Sequence, residues 1–395
     1  MKPTLSAIAG HGGQAMRRRV WITGVGAVTA AGPRARHLLA ALRRGESHVG
    51  ARAADAESPS KFVDRSGGLF LRAAQEAWSD AELDDAPLDP RRCAVIEGSS
   101  LGPLADVLDT QRDGTRARRG SLLVRFMPGS GSAAFAQQKA TRGTVLHLSA
   151  GSVSAACAIG EAYQRVAYGM DDVAVAGGAE CPFHDDIVEV FRAAGILAPE
   201  ETGCRPFDAD RCGTVLGEGS GVLVLEAEEH ARRRGARPRA VLESFALARE
   251  PHSRLSPDPG GAGVAEVVAR IRNESEHDDL PGWIQCHGTG TRLNDAAECR
   301  GLWATLGNQL ENIELVALKS TVGHCLGASG GVEAVAAVLA LEAGLVPATL
   351  GTRRVDRTLP PCRVSLEPHA TSATSVLLLS ESFAGRCAAT WISRI

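Results

Sequence analysis

The chain has 395 residues, 44% apolar and 23% charged, with a net charge of −3. That is the composition of a folded globular protein with one large core or two ordinary ones, and it lacks the basic excess of a nucleic-acid binder. No apolar run reaches membrane-spanning length, and the 10 cysteines hold no C-x-x-C pair, a reduced, cytoplasmic pattern rather than a disulfide framework or zinc site.

Residues 1–17 have no true apolar h-region and read as a disordered tail or a misassigned start, not a signal peptide. Val20–Thr23 reads as a short strand, followed by a G-V-G-A-V-T turn at Gly24–Thr29. The third glycine of a dinucleotide fingerprint is missing, so these glycines are expected to let a strand pack closely on a helix. Ala35–Arg44 and Gly67–Ala81 read as helices on either side of an Ala/Ser/Pro-rich loop at 50–60. Cys93–Ile96 reads as a buried strand. Gly98-Ser99-Ser100-Leu101-Gly102 is a formal G-x-S-x-G, but Pro103 and the polar residues after it suit the helix of a hydrolase elbow poorly. The polar, basic stretch 110–122 is expected at the surface, and Pro128–Lys139 as a small-residue helix.

The most informative stretch follows. Leu146–Leu148 reads as the end of a buried strand and Ser149-Ala150-Gly151 as a small-residue turn. Ser152 then opens a helix that is apolar all round in its first turns (Val153, Ala155, Ala156, Cys157, Ile159) and runs to Gly169. A helix apolar on every side lies in a core. A hydroxyl at its N-terminus is either a helix cap or a nucleophile held where the exposed N–H groups favour negative charge. Strand Val173–Ala176 ends in Gly177-Gly178, and Val222–Leu225 is a further apolar strand. The charged run Ala227–Arg237 reads as a solvated helix and connector. It places a boundary near 235, with halves at 18–235 and 236–395.

The second half repeats the logic of the first. Ala240–Ala248 is a strand and Gly263–Asn273 a helix. Trp283–Cys286 is a strand ending in H-G-T-G-T (His287–Thr291), with Asn294 or Asp295 capping the next helix. Leu315–Leu318 is a strand ending in Lys319-Ser320-Thr321-Val322-Gly323-His324, and Gly331–Ala343 is a long apolar helix. The last strand, Val376–Leu379, precedes Ser382–Thr390. The alternation predicts α/β layers with an internal duplication. His287, His324 and Ser152 all sit just past strand ends, where sites gather in α/β architectures. Lys319 is one of only four lysines (Lys2, Lys61, Lys139, Lys319) and lies in an apolar segment. The adjacent pairs Cys286-His287 and His324-Cys325 would point to opposite faces of a strand, so no shared metal is expected.

With those residues in view, the chain resembles the β-ketoacyl-acyl-carrier-protein synthases, the elongating condensing enzymes of the thiolase-like superfamily. The resemblance covers about residues 18–385. It is carried by VWITGVGAVT, GEAYQRVAYGMDDVAVAGGAE, RPFDADRCGTVLGEGSGVLVLE, HGTGTRLNDAAE and LKSTVGHCLGASGGVEAVAAVLAL. The resemblance implies two α/β halves stacked as five layers (αβαβα) and a dimer, either a homodimer or a heterodimer with a sister ketosynthase. It implies an acyl-carrier-protein partner whose phosphopantetheine arm delivers the substrate, no other cofactor, and no nucleic-acid or membrane partner. His287 and His324 match the histidines that donate to a thioester carbonyl and stabilise an enolate. Lys319 matches their supporting lysine, and Glu333 the acid tied to that lysine. Thr289 and Thr291 fall where substrate is bound.

Three departures matter. Ser152 occupies the place of the family's nucleophilic cysteine. Cys157 cannot replace it by a slip, being five residues on, about 140° around the helix. A serine needs a general base where a thiolate does not, and its oxoester is a poorer electrophile toward carbon. Acyl transfer to oxygen, nitrogen or water is thus expected to suffer less than condensation. The family's G-F-G-G-T-N loop is Ser382-Phe383-Ala384-Gly385-Arg386-Cys387-Ala388-Ala389 here, with the gating aromatic replaced by Gly385. Cys212 stands where the family usually carries Asp. Three readings follow: an active acyl-carrier-dependent enzyme using Ser152, a catalytically silent chain-length-factor-like partner, and an engineered inactive variant.

Overall fold

The computed structural model describes residues 17–53, 60–113, 119–199, 201–274 and 280–395. Of the expected tail only Arg17 lies inside those limits, where it donates to the Glu243 carbonyl at 2.7 Å. Most of the 50–60 loop and part of the 110–122 stretch fall outside the described residues.

The strands are β1 (Val20–Thr29), β2 (Cys93–Gly98), β3 (Val145–Leu148), β4 (Val173–Glu180), β5 (Gly219–Ala227), β6 (Ala240–Arg249), β7 (Trp283–Gln285), β8 (Glu314–Val316), β9 (Leu345–Val346), β10 (Arg363–Val364), β11 (His369–Ala370), β12 (Ser375–Ser382) and β13 (Arg386–Ser393). The helices are α1 (Ala35–Arg44), α2 (Arg65–Asp80), α3 (Leu104–Asp113), α4 (Ser121–Arg125), α5 (Ser130–Gln138), α6 (Ser154–Ala167), α7 (Asp185–Ala193), α8 (Glu228–Arg233), α9 (Ala262–Glu274), α10 (Arg292–Leu306), α11 (Lys319–Val322) and α12 (Ser329–Ala343).

Eleven strands join in the order β10-β8-β7-β12-β13-β6-β1-β5-β4-β2-β3. Read outward from the β1–β6 junction, each side runs through the same sequence of antiparallel and then parallel neighbours. The duplication expected from the alternation of elements is therefore present in the topology. Side-chain alternation along each strand separates the layers. In β2, Cys93 and Val95 pack outward with α2, while Ala94 and Ile96 pack inward with α6 and α12. In β7 and β12, Ile284, Leu377 and Leu379 face α9 and α10, while Trp283, Val376 and Leu378 face the centre. Outer helices, half-sheet, central helices, half-sheet and outer helices make the five layers.

Several expectations change in three dimensions. Gly24–Thr29 is not a turn but part of the continuous strand β1, with a bulge between Ile22 and Gly24. A Cβ on Gly26 would come within 2.0 Å of the Ala73 carbonyl, so the glycines do serve close helix packing, but from within a strand. The Leu146 strand is not buried: β3 is a sheet edge, with Val145 41% and Leu146 36% exposed. Pro103 does not prevent a helix, because α3 begins immediately after it, where a missing N–H costs nothing. Leu326–Ala343 does have the length and hydropathy of a membrane span, contrary to the sequence expectation. It is 89% buried, because α12 fills the central layer between the two half-sheets.

Candidate active site

Ser152 lies in the turn between β3 and α6. The helix starts at Ser154, two residues later than the sequence suggests, and Ser152 does not cap it. The local bracing falls to Ser154, whose hydroxyl donates to the Gly151 carbonyl at 2.6 Å and accepts the Ala150 N–H at 2.9 Å. Gly151 takes φ +69°, the left-handed turn that throws Ser152 toward the cavity.

The Ser152 hydroxyl lies 3.3 Å from His324 Nε2. His324 follows the short helix α11, and its backbone is clamped into the first half by bonds to Val215 and Gly217 at 2.7 and 2.9 Å. Its Nδ1 lies 3.0 Å from the hydroxyl of Ser329, the first residue of α12. His287, just past β7, stands edge-on to His324 with ring centroids 5.3 Å apart. The loop carrying it is pinned by Glu298, which accepts the His287 and Gly288 N–H groups at 2.5 and 2.9 Å.

Lys319 opens α11, is fully buried, and donates to Glu333 of α12 at 2.7 Å. Burial and then the Lys319 ammonium hold both imidazoles well below the ordinary histidine range; His324 adds to the effect on His287. Both rings are therefore neutral near pH 7, each with one nitrogen protonated and one free. Such a pair can take a proton from a hydroxyl or donate one hydrogen bond to a carbonyl, as its tautomer dictates.

Ser152, His287 and His324 open onto one cavity of about 860 Å³, with Thr289, Thr291, Cys212, Phe383 and Gly385 also in its wall. Lys319 and Glu333 sit behind the imidazoles rather than in that wall. Thr289 and Thr291 bond to each other at 3.0 Å, and Thr291 caps α10 by accepting the Asn294 N–H at 3.3 Å. The expected caps, Asn294 and Asp295, do not serve: Asp295 is buried and accepts from Phe207 and Gly290.

Two neighbours of Ser152 alter its surroundings. The Ser152 N–H donates to the Ser382 hydroxyl at 3.0 Å, and a Cβ on Gly151 would lie 2.1 Å from that oxygen. Gly151 thus makes room for Ser382 against the turn. In the β12–β13 hairpin, Ala384 takes φ +62°, and a Cβ on Gly385 would lie 2.2 Å from the Glu250 carbonyl. No aromatic side chain fits at 385 with this backbone. Cys157 is not in the cavity wall, and burial pushes its thiol up to about 11. The formal G-x-S-x-G has no base: the Ser100 hydroxyl has no hydrogen-bond partner among the described residues, and Ser99 is spent on Glu180.

Residues 52–231 match the family model described as Beta-ketoacyl synthase, N-terminal domain, and residues 239–353 the corresponding C-terminal domain. A 3-oxoacyl-[acyl-carrier-protein] synthase 2 from Synechocystis is 30% identical, over 93% of this chain and 95% of that protein. The chain belongs to the β-ketoacyl synthase family. A Nodulation protein E from a Rhizobium species is also 30% identical, over 93% of this chain and 97% of that protein. Among solved structures, the ishigamide ketosynthase/chain length factor superposes with a TM-score of 0.89 at 27% identity, over 96% of this chain and all of that one. A beta-ketoacyl synthase from Burkholderia phymatum gives 0.86 at 28% identity over the same shares. The fold of this synthase-family chain is accordingly the thiolase-like one.

Sequence reasoning missed Ser329, Ser382 and Glu298. Ser329 lies within GASGG, where a hydroxyl among glycines gives no periodic signal, and Ser382 reaches the turn from 230 residues away.

Proposed function

We propose that this β-ketoacyl synthase relative moves acyl groups from an acyl-carrier-protein thioester onto Ser152 and on to an acceptor, in fatty acid or polyketide biosynthesis. The observation that carries the reading is the 3.3 Å approach of the Ser152 hydroxyl to His324 Nε2. A serine without a base would be inert there, and this serine has one within hydrogen-bond reach. His287, beside it, is free to donate to the thioester carbonyl. Burial first, and then the charge of Lys319 held by Glu333, keep both rings neutral, the state a base requires.

The mouth of the cavity supports a carrier-protein partner. Arg292 and Arg386 line it, and Leu255 and Leu293 are 76% and 66% exposed beside them. Apolar side chains ringed by arginine suit an acidic carrier, whose phosphopantetheine arm would pass Thr289 and Thr291. The reading asks for no resident cofactor, because the acyl group arrives on that arm, and it places the protein in the cytoplasm. With Gly385 where a gating aromatic is expected, no side chain projects from that position between the acceptor and the acyl-serine. The exposed β3 edge, with Leu123 and Met127 also exposed in the segment before it, suits a dimer partner, either a second copy or a sister synthase.

One observation favours the alternative of a silent chain-length-factor-like subunit: the Ser152 N–H, a natural oxyanion donor, is taken by Ser382. Intact-mass analysis after incubation with acyl- and malonyl-carrier protein separates the two. An acyl adduct that disappears in Ser152→Ala supports transfer. No adduct, together with co-purification of a cysteine-bearing synthase, supports the silent subunit.

A further inference from the structure

A histidine can take a proton from Ser152 through Nε2 only if that nitrogen carries none. Which nitrogen is protonated is set by the bond the other one makes. Here the two imidazoles differ. His287 Nδ1 is buried and has no hydrogen-bond partner among the described residues. His324 Nδ1 has one, the Ser329 hydroxyl at 3.0 Å, and both residues are buried. Ser329 is held rigidly, because it begins the helix that fills the central layer and the next residue, Gly330, lies against α6.

We propose that Ser329 is the positioning residue that makes His324 a base: its hydroxyl accepts the Nδ1 proton and leaves Nε2 bare toward Ser152. The inference rests on the acyl-transfer reading and deepens it. In the loading step the Ser152 oxygen attacks the thioester carbonyl carbon while its proton passes to His324 Nε2. The carbon–sulfur bond breaks, and the departing thiolate takes the proton back from Nε2. One thioester is exchanged for one oxoester and the imidazole ends neutral.

Ser329 acts through His324 and need not touch substrate.

The test compares wild type, Ser329→Ala and Ser329→Thr. Rates of Ser152 acylation are followed by intact mass with acyl-carrier protein, and the His324 tautomer is read by ¹⁵N NMR of histidine-labelled protein. Ser329→Ala should slow acylation at least about tenfold at saturating carrier with KM little changed. Its His324 Nδ1 resonance should move to the unprotonated position. Ser329→Thr, which keeps the hydroxyl, should restore both. An unchanged rate in Ser329→Ala, or unchanged His324 nitrogen shifts, overturns the inference. If Ser329→Ala does not fold, Ser329→Cys replaces it, a thiol being a weak acceptor. Wild type that never acylates Ser152 overturns the acyl-transfer reading instead, while the nitrogen shifts still decide what Ser329 does.

Discussion

Ser152, His324 and His287 meet although they are spread over more than 170 positions of chain. The proposed division of labour rests on distance: of the two imidazoles, it is His324 that lies within hydrogen-bond reach of the Ser152 hydroxyl. His324→Gln should therefore lower the rate of Ser152 acylation by about 10²–10⁴-fold, the usual worth of a positioned base. His287→Gln should spare loading far more and should instead depress malonyl decarboxylation, where a carbonyl donor is wanted. Time-resolved intact mass and CO₂ release check the two variants, and equal losses of loading in both would contradict the assignment. Lys319 and Glu333 act one layer back. An unpaired buried charge is costly, so removing either alone is a stability change before it is a catalytic one.

At the level of elements, the site is a meeting of loops that leave β3, β7, β8 and β12. The β12–β13 hairpin is one of those that carry backbone strain. Ala384 adopts φ +62°, ψ 22°, a left-handed conformation disfavoured for any residue with a Cβ. Ala384→Gly is expected to stabilise the fold by about 1 kcal/mol, read from urea unfolding; a loss of stability would mean the strain is offset within the hairpin. The turn at Gly151 has the opposite logic. Its missing Cβ admits the Ser382 hydroxyl, which ties the hairpin to the Ser152 backbone. The turn before the serine and the hairpin opposite it are one mechanical unit, so a substitution in either is felt at the Ser152 N–H.

Across the whole molecule, stability should depend on pH through groups buried in opposite senses. Glu97 of β2 accepts the Ser132 N–H at 2.8 Å, and burial, followed by the charge of Asp64, pushes its carboxyl up to about 7. A raised carboxyl contributes stability that is present below about pH 4.5 and lost as pH rises through 7. The two imidazoles are depressed, so their contribution is present above pH 6.5 and lost as pH falls below it. Glu97→Gln keeps an acceptor for Ser132 and removes the titration. Its melting temperature should fall less steeply between pH 5 and 8 than that of the wild type; an unaltered slope would assign the dependence elsewhere. The open edge at β3 carries the second molecular prediction. Leu146→Arg places a charge on that exposed edge and should convert a dimer to a monomer by sedimentation velocity, while wild type that sediments as a monomer would remove the edge from consideration.

Amino-acid order alone determined the alternation of strand and helix, the duplicated halves and which side chains stand just past the strand ends. Periodicity, glycine spacing and the H-G-T-G-T and K-S-x-x-G-H runs are local and survive in one dimension. The same locality explains the misplacements. Gly24–Thr29 looks like a turn because a strand threaded against α2 needs glycine as much as a turn does. Leu146 looks buried because an edge strand can be as apolar as a central one. Tertiary structure decided which nitrogen of which histidine faces Ser152, that Ser329 stands behind that ring, and that Ser382 occupies the Ser152 N–H. Those are contacts between segments 170 to 230 residues apart or single hydroxyls among glycines. No pattern along a chain encodes them, because they are fixed only when the layers close and the loops at their ends are brought together.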